Sequence, residues 1–464
     1  MDYFAALDLK LLRERYPVGQ AFMDRYVGMS KDELFAIQNE RFLELMGAGW
    51  KVPFYQRHWG AAGIEPGDIK SLEDITRLPT YSKDDLMASV EKYPPLGDFN
   101  LFDTYPEDQR PPLVFQTTSG TTGRPQPLLY GPMTREVQNL LLGRLYQMQG
   151  LTNRDVVHSV YGHGTVNGGH YIREAVSHWV GAQFLSAGTG IETRSAKQVE
   201  LMRDFGVTAI VGFGDYIRKL AIVAKEAGFE PGRDIPVRMI SGHLGSETAE
   251  GLGALWGGAQ VFDWYGVGDT GAITGQGADR TGQHIMEDAQ YVELLDVDTH
   301  EPVADGELGD LVCTCLYTTD VFPIIRFNTH DVTRVKSGDN PLNLPFRQTE
   351  GFLGRSDNMV KLRGINIYPQ GIGAVLSAGF AETNGEYFCE VVTHPDRAEM
   401  TVHVEATNGS TELSSAMEDL LRSRLGVQIE VKLCAPGATA EVTQLEKRQK
   451  PIRLVKRAAE GVDA

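Results

Sequence analysis

Residues 116–126 restrict the architecture of this chain more than any other stretch. They read Gln116-Thr117-Thr118-Ser119-Gly120-Thr121-Thr122-Gly123-Arg124-Pro125-Gln126, with five hydroxyls and two glycines in eleven positions, directly after the apolar run Leu113-Val114-Phe115. Side chains this small and polar build no core, and glycine favours loops over regular elements. A strand that runs into such a loop presents backbone N–H groups and hydroxyls together, which suits an anionic oligophosphate. An ordinary Ser/Thr-rich surface turn has the same composition. The loop decides nothing alone; its place in the chain does.

Between residues 110 and 270, four short apolar runs end at or near glycine: 156–161, 209–213, 237–242 and 259–266, with helical sequence between them. Such alternation predicts a mostly parallel sheet with ligand loops beyond the carboxyl ends of its strands. Residues 1 to about 95 read as amphipathic helices, with Leu34, Ile37, Phe42 and Leu45 at helical spacing, and Glu91-Lys92-Tyr93-Pro94-Pro95 ends that block. Closely spaced strands follow at 291–295, 309–313 and 332–335, with a turn-rich hairpin connection after the first. Residues 351–358 look like a boundary, beyond which strands at 388–392, 400–404 and 428–431 alternate with helices. The expected fold class is α/β: a large N-terminal α/β domain with mixed sheets over residues 1–354, and a small C-terminal α+β domain over 355–464.

The 464 residues exceed one core of ordinary size, which also argues for at least two domains. A net charge of −18 speaks against non-specific nucleic-acid binding and against anionic membrane surfaces. An anionic ligand must therefore be held by a local site. Four cysteines without a CxxC pair fit a reducing compartment, and Cys313 and Cys315 fall on one face of a strand, as buried small residues do. No signal peptide or membrane span is visible, so a cytoplasmic protein is expected.

Two look-alike motifs fail on chemistry. Arg124-Pro125 stands where a Walker A loop requires Lys and a hydroxyl. Gly266-Val267-Gly268-Asp269-Thr270-Gly271 fits GxGxxG, but Ala272-Ile273-Thr274-Gly275-Gln276-Gly277 is too rich in glycine for the helix a dinucleotide site needs.

The order of the remaining motifs is more specific. Ser119-Gly120-Thr121-Thr122-Gly123-Arg124-Pro125 comes first, then Trp264-Tyr265-Gly266-Val267-Gly268-Asp269, then Arg326-Phe327-Asn328-Thr329-His330-Asp331. Gly354-Arg355-Ser356-Asp357, Lys361-Leu362-Arg363-Gly364 and Lys450-Pro451-Ile452-Arg453 follow. This series resembles the adenylate-forming acyl-CoA synthetase superfamily. Residues 53–57, 78–86, 161–164 with Gly168-Gly169, and 282–288 look like its phenylacetate–CoA ligase branch, and the resemblance covers essentially the whole chain.

The resemblance implies an ATP-dependent acid–CoA ligase. A carboxylate attacks the ATP α-phosphate to give acyl-adenylate and pyrophosphate, and CoA then accepts the acyl group. An amide-forming ligase using an amino acid, a loader of a carrier protein, and a non-catalytic acyl or nucleotide binder remain as alternatives. By the same resemblance Ser119, Gly120, Thr121, Thr122 and Gly123 hold the β- and γ-phosphates. Tyr265 and Gly266, with Gly242 and His243, enclose adenine, and Asp331 accepts the ribose hydroxyls. Asp269 binds Mg²⁺, and Lys450 reaches the α-phosphate. Asp357 is the hinge about which the small domain rotates, Arg355 contacts ribose or phosphate, and Gly364 lets the pantetheine arm of CoA pass. Tyr161, His163, Phe213 and Trp264 line the acid pocket, whose aromatic set suits a ring-containing acid, with His163 and His243 adding polarity for a hydroxyl, keto or ring substituent.

Several positions depart from the family pattern. Asp269 stands where Glu is usual, Gly268 where Ser or Thr is usual, and Gln126 where Lys or Thr is frequent. Gln449 replaces the glycine that often precedes the lysine, and Lys447 competes with Lys450. Some relatives carry a zinc-binding cysteine cluster; residues 272–283 and 337–350 have no cysteine, so zinc is not expected. The expected partner is a small-molecule carboxylic acid, with neither nucleic acid nor membrane, and a homodimer is left open.

Overall fold

Capping chemistry starts the N-terminal helices. The computed structural model describes residues 1–118, 124–245, 247–394, 398–444 and 451–458. Helix Lys31–Gly49 opens with a capping box in which the Ser30 hydroxyl accepts from Glu33 N and the Glu33 carboxylate accepts from Ser30 N. Ser82 and Asp85 do the same for Lys83–Lys92, and Pro53–Ala61 has proline in its first turn. Leu34, Phe42 and Leu45 are buried as their spacing predicts. Ile37 packs at the edge of a cluster of Phe22, Tyr26, Leu34, Leu344 and Phe346.

The chain divides into two units. Met1–Thr193, Phe205–Val211 and Phe262–Gly351 form the first; Arg194–Asp204, Gly212–Val261 and Phe352–Ala464 form the second. In the first unit Val156–Ser159 pairs in parallel with Gln183–Ser186 and with Ala209–Val211. Those pairings agree with the parallel sheet expected for this stretch, whereas several of its neighbours pair antiparallel. Val114–Thr117 pairs antiparallel with Pro127–Tyr130, and Gln260–Val267 pairs antiparallel with Gly271–Gln276, which continues to Gln283–Ile285 and Gln348–Thr349. For the first three of these pairings the reason is connection length: three to nine residues close a hairpin but cannot cross over to a parallel neighbour. Thr117 is accordingly a strand residue, and the GxGxxG look-alike is the hairpin turn, with Gly271 opening a strand rather than a helix. A further antiparallel group joins Gln290–Leu295, Leu308–Cys315 and Phe327–Arg334. The last of these begins five residues before the run at 332–335 and takes in most of the Arg326–Asp331 motif.

The second unit contains a four-stranded sheet in the order Glu430–Cys434, Ala398–Ala406, Thr383–Thr393, Leu454–Ala458. Only the central pair is antiparallel. Helices Pro369–Gly379 and Thr411–Leu425 cover it, and Val360, Ile372, Leu376, Val402, Met417 and Leu421 lie in its core. The strand Leu454–Ala458 is not legible from the sequence, because Lys456 and Arg457 follow directly on its two apolar residues.

One buried ion cluster ties the N-terminal helices to the rest of the first unit. Arg144, on helix Pro132–Met148, donates to both oxygens of Asp288 at 2.7 and 3.1 Å, with neither side chain exposed. Arg41 donates to the Asp288 backbone carbonyl, and the Tyr26 hydroxyl donates to Oδ2 at 3.1 Å. The guanidinium of Arg144 also lies 4.4 Å from the Phe22 ring centre, and that of Arg41 4.2 Å from Tyr16. Removing the acid strands two buried cations, which costs about 3–5 kcal/mol. Asp288→Ala is therefore expected to lower the denaturant midpoint by an amount equivalent to that loss; a change below about 1 kcal/mol, the range of surface pairs, would contradict the assignment.

Candidate active site

Strand periodicity builds the first part of the site. Gln126, Leu128 and Tyr130 alternate, so they share one face of the second hairpin strand. All three meet the turn Gly268-Asp269-Thr270. Gln126 Nε2 donates to Asp269 Oδ1 at 2.6 Å, and the Tyr130 hydroxyl donates to the Gly268 carbonyl at 2.5 Å. A Cβ at Gly268 would stand 2.8 Å from a Leu128 methyl, which accounts for glycine in place of the family's Ser or Thr. The other two carbonyls of the turn are also taken. Gln138 Nε2 donates to Asp269 O at 2.9 Å, while Gln290 Nε2 and the Tyr317 hydroxyl donate to Thr270 O at 3.0 and 2.7 Å. Gln126 itself is fixed at the base of the hydroxyl-rich connection: Thr118 N donates to its carbonyl at 3.0 Å, and its N donates to Thr118 Oγ1 at 3.0 Å. Ser119, Gly120, Thr121, Thr122 and Gly123 lie outside the described residues, as do Lys447 and Lys450.

Asp269 is 7% exposed, and burial pushes its carboxyl up to about 6, against which the Gln126 hydrogen bond acts. No guanidinium or ammonium bonds to it among the described residues. Gln126 Oε1 is buried beside it without a protein partner. A lone carboxylate with a neighbouring amide oxygen fits Mg²⁺, which keeps several waters and takes further ligands from substrate phosphates. Among the described residues no group of three or more His, Cys, Asp or Glu side chains forms a metal cage.

Tyr265 and Asp331 come together. The Tyr265 hydroxyl donates to Asp331 Oδ2 at 2.6 Å, and both residues are buried. Asp331 lies where the register between Leu308–Cys315 and Phe327–Arg334 shifts, next to His330, whose φ of +56° is rare for a non-glycine residue. Asn328 Oδ1 accepts from His330 N at 2.8 Å and holds that conformation. Arg326 of the same motif is structural. Its guanidinium donates to Glu293 at 3.0 and 2.9 Å and to the Leu78 carbonyl. Gly266 is required by packing, since a Cβ there would stand 2.2 Å from the Gly271 carbonyl oxygen.

Tyr161 and Trp264 are buried in the first unit, with the Tyr171 ring edge-on to Trp264 at 6.5 Å. His163 is half-buried, and its Nε2 has no partner among the described residues. Desolvation, then the neighbouring His170, holds its pKa below the ordinary 6.5, so the ring is neutral at pH 7.

In the second unit the Phe213 and His243 rings pack at 5.4 Å, and a Cβ at Gly242 would stand 1.8 Å from the Gly212 carbonyl oxygen. Arg355 donates to both oxygens of Asp357 at 2.8 and 2.5 Å in an exposed pair. Gly364, φ +85°, closes the hairpin between Val360–Leu362 and Ile365–Ile367, with open space where a Cβ would be. Arg453, the last residue of the Lys-x-x-Arg motif, is buried: it donates to Glu386 at 2.9 Å and to the Tyr387 carbonyl at 2.7 Å, and lies 3.6 Å from Asp215.

Tyr130, Gln138, Gln290 and Tyr317, which hold the turn, escape a motif-based reading. The alternation of Gln126, Leu128 and Tyr130 is the one local signal that points to part of this set.

A family model described as the AMP-binding enzyme C-terminal domain matches residues 364–452. The phenylacetate-coenzyme A ligase of Aromatoleum evansii is 27% identical over 434 residues, covering 89% of this chain and 93% of its own length. The enzyme of the same name from Pseudomonas putida is 29% identical over 425 residues, covering 89% and 90%. The chain is thus similar, along nearly its whole length, to enzymes of the phenylacetate–CoA ligase branch of the adenylate-forming superfamily. The fold agrees with that of an adenylate-forming enzyme. The crystal structure of 2-hydroxyisobutyryl-CoA ligase in the postadenylation state, in complex with R3-HIB-AMP, superposes with a TM-score of 0.80 at 25% identity over 94% of this chain and 92% of that one.

The raised carboxyl of Asp269 has a measurable cost. Its folded-state value of about 6 exceeds the ordinary 3.8, so the folded protein binds the extra proton and ionisation destabilises it. The penalty is absent below the unfolded value, grows as pH rises from about 4 to about 6, and is full above that. At 1.36 kcal/mol per unit it reaches about 3 kcal/mol. Asp269→Asn is expected to be more stable than wild type at pH 7 without ligands and equal to it near pH 4. Parallel denaturant titrations across that range check this, and a pH-independent difference would refute it.

Proposed function

We propose that the protein is an ATP-dependent carboxylic-acid–CoA ligase. It converts the acid and ATP to acyl-adenylate and pyrophosphate, then transfers the acyl group to the CoA thiol with release of AMP. Agreement with enzymes named for this activity along nearly the whole of both chains carries the reading. The Tyr265–Asp331 bond supports a ribose site beside a flat aromatic, because the donor leaves the carboxylate oriented to accept from hydroxyls. Tyr265 and Gly266, with Gly242 and His243, are the proposed adenine enclosure. The hydroxyl-rich loop, Ser119, Gly120, Thr121, Thr122 and Gly123, is the proposed grip on the terminal phosphates.

Asp269 is the proposed cation ligand; Mg²⁺ bound there would offset charge on the phosphates. Lys450 is the proposed lysine at the α-phosphate, a point charge where negative charge develops. Residues 1–354 and 355–464 are the proposed domains, with Asp357 the hinge, Arg355 a ribose or phosphate contact and Gly364 beside the pantetheine path. The core of residues 360–431 and the open space around Gly364 support this. Among the described residues no helix is long and apolar enough to cross a membrane; a cytoplasmic location is proposed from the few, free cysteines. Whether the enzyme dimerises is a matter for sedimentation analysis.

Tyr161, His163, Phe213 and Trp264 are the proposed acid pocket. The neutral, unpartnered His163 Nε2 supports an acid with a ring and a hydroxyl, keto or other neutral polar group. The test is pyrophosphate release with a panel of acids, ATP and Mg²⁺, followed by acceptors. CoA is expected to give thioester, and amino acids in its place no amide. Polar-substituted aryl acids are expected to exceed plain phenylacetate in kcat/KM by about tenfold, the worth of one well-placed hydrogen bond. Plain phenylacetate outperforming every polar acid would refute the pocket reading, and absence of pyrophosphate release with every acid would refute the enzyme. Lys450→Ala is expected to slow adenylation by about 100-fold or more while leaving thioester formation from supplied acyl-adenylate near wild type. Should Lys447→Ala alone abolish adenylation, the lysine is misassigned.

A further inference from the structure

We propose that Gln126 is part of the cation site: its Nε2 holds the Asp269 carboxylate while its Oε1 provides a second oxygen ligand for the hard divalent cation that accompanies ATP, or for a water on that cation. The proposal rests on reading Asp269 as the cation-binding carboxylate. Four observations carry it. Gln126 is 1% exposed, and one of its two amide atoms is bonded to Asp269 Oδ1 at 2.6 Å. The other, Oε1, is buried and has no partner among the described residues, an arrangement that is unfavourable unless a further group satisfies it. Tyr130, Gln138, Gln290 and Tyr317 donate to the turn's carbonyls; Gln138 Oε1 is also buried without a partner among the described residues, but its Nε2 bonds the Asp269 backbone, so of these amides only Gln126 bonds the carboxylate. The Gln126 backbone is bonded in both directions to Thr118, at the base of the hydroxyl-rich connection. One residue thus links the position of that connection to the position of the carboxylate.

The chemistry also accounts for the short acid. Asp reaches one methylene less far than Glu, and a neutral amide oxygen adds a hard ligand without a second negative charge. Mg²⁺ accepts such mixed oxygen sets readily when phosphates and waters supply the rest. A lysine here would offer no oxygen and would set a positive charge beside the cation; a threonine would be too short to meet the Asp269 carboxylate from the same backbone position.

The test is Mn²⁺ affinity of the full-length protein with α,β-methylene-ATP, read from the free Mn²⁺ signal by electron paramagnetic resonance. Gln126→Met keeps the shape and removes both polar atoms; it is expected to weaken Mn²⁺ binding by about tenfold or more, as loss of groups supporting a metal ligand does. Gln126→Glu restores an oxygen ligand but replaces the donor to Asp269, and is expected to bind Mn²⁺ more tightly than Gln126→Met because the cation offsets the added charge. A Gln126→Met protein that binds Mn²⁺ like wild type overturns the proposal, and so does a Gln126→Glu protein as weak as Gln126→Met. Asp269→Asn separates the two readings. Unchanged Mn²⁺ affinity in Asp269→Asn refutes Asp269 as the ligand, whereas loss there with none in Gln126→Met refutes only the role of Gln126.

Discussion

A buried carboxylate given only a neutral partner is the constraint round which the first unit's site is built. Asp269 and Asp288 are both buried acids, 19 residues apart, and the chain treats them oppositely. Asp288 meets a bidentate guanidinium from Arg144, a second cation in Arg41 and a tyrosine hydroxyl. Its charge is matched within the protein, and it serves to fasten helices to strands. Asp269 has one side-chain hydrogen bond, from a neutral amide; burial raises its carboxyl, and that amide, its own backbone N–H and, last, the charge of Lys83 act against the rise without cancelling it. A carboxylate left so poorly compensated is a functional-site signature, because the missing positive charge is what a ligand can supply. The backbone around it is correspondingly over-determined: three successive carbonyls of the turn each receive a side-chain donor. The rigidity holds the acid in a place that its own electrostatics disfavour.

The contrast explains what could be read from the sequence. Order of motifs is a global property, and it named the branch and the two-part α/β organisation before any contact was known. Capping boxes at Ser30 and Ser82 and the stripe of Leu34, Phe42 and Leu45 are local and were equally legible. Strand direction was not, because an apolar run ending in glycine looks the same whether a helix or a hairpin turn follows; Gln260–Val267 and Gly271–Gln276 are joined by three residues, and only that length reveals the pairing. The donors to the Asp269 turn come from Tyr130, Gln138, Gln290 and Tyr317, up to 138 positions distant, and apart from the alternation that includes Tyr130 nothing in their local sequence marks them. Arg326 and Arg453 show the converse. Both sit in recognisable motifs, and both are spent on buried structural bonds.

Arg453 also clarifies the organisation of the second unit. Its strand neighbour Leu454 begins the pairing with Cys389, and its guanidinium lies among Glu386, Asp215 and the Tyr387 carbonyl. Burial raises the Glu386 carboxyl, and Arg453 then opposes that shift. Arg218, bonded to Glu247 at 2.6 Å and 3.8 Å from Glu386, extends the cluster along helix Gly214–Glu226. Removing Arg453 would leave three acids sharing one guanidinium, so the basic end of the Lys-x-x-Arg motif acts as a fixed anchor for the strand that follows it.

The departures from the family pattern near Asp269 form one packing solution rather than independent substitutions. Gln126 and Leu128 project from the same strand face; Gln126 meets the Asp269 carboxylate and Leu128 fills the space over Gly268. A hydroxyl-bearing residue at 268 would need Leu128 to retreat from a site where it is 2% exposed, and interiors at native density offer it nowhere to go. A longer acid at 269 would drive its carboxylate into the Gln126 amide already at 2.6 Å. Each of these residues suits the others, so reverting Gly268, Asp269 or Gln126 toward the family pattern meets its neighbours as an obstacle. The short acid, the missing side chain, the leucine and the amide are therefore a coupled set that keeps the turn itself in place.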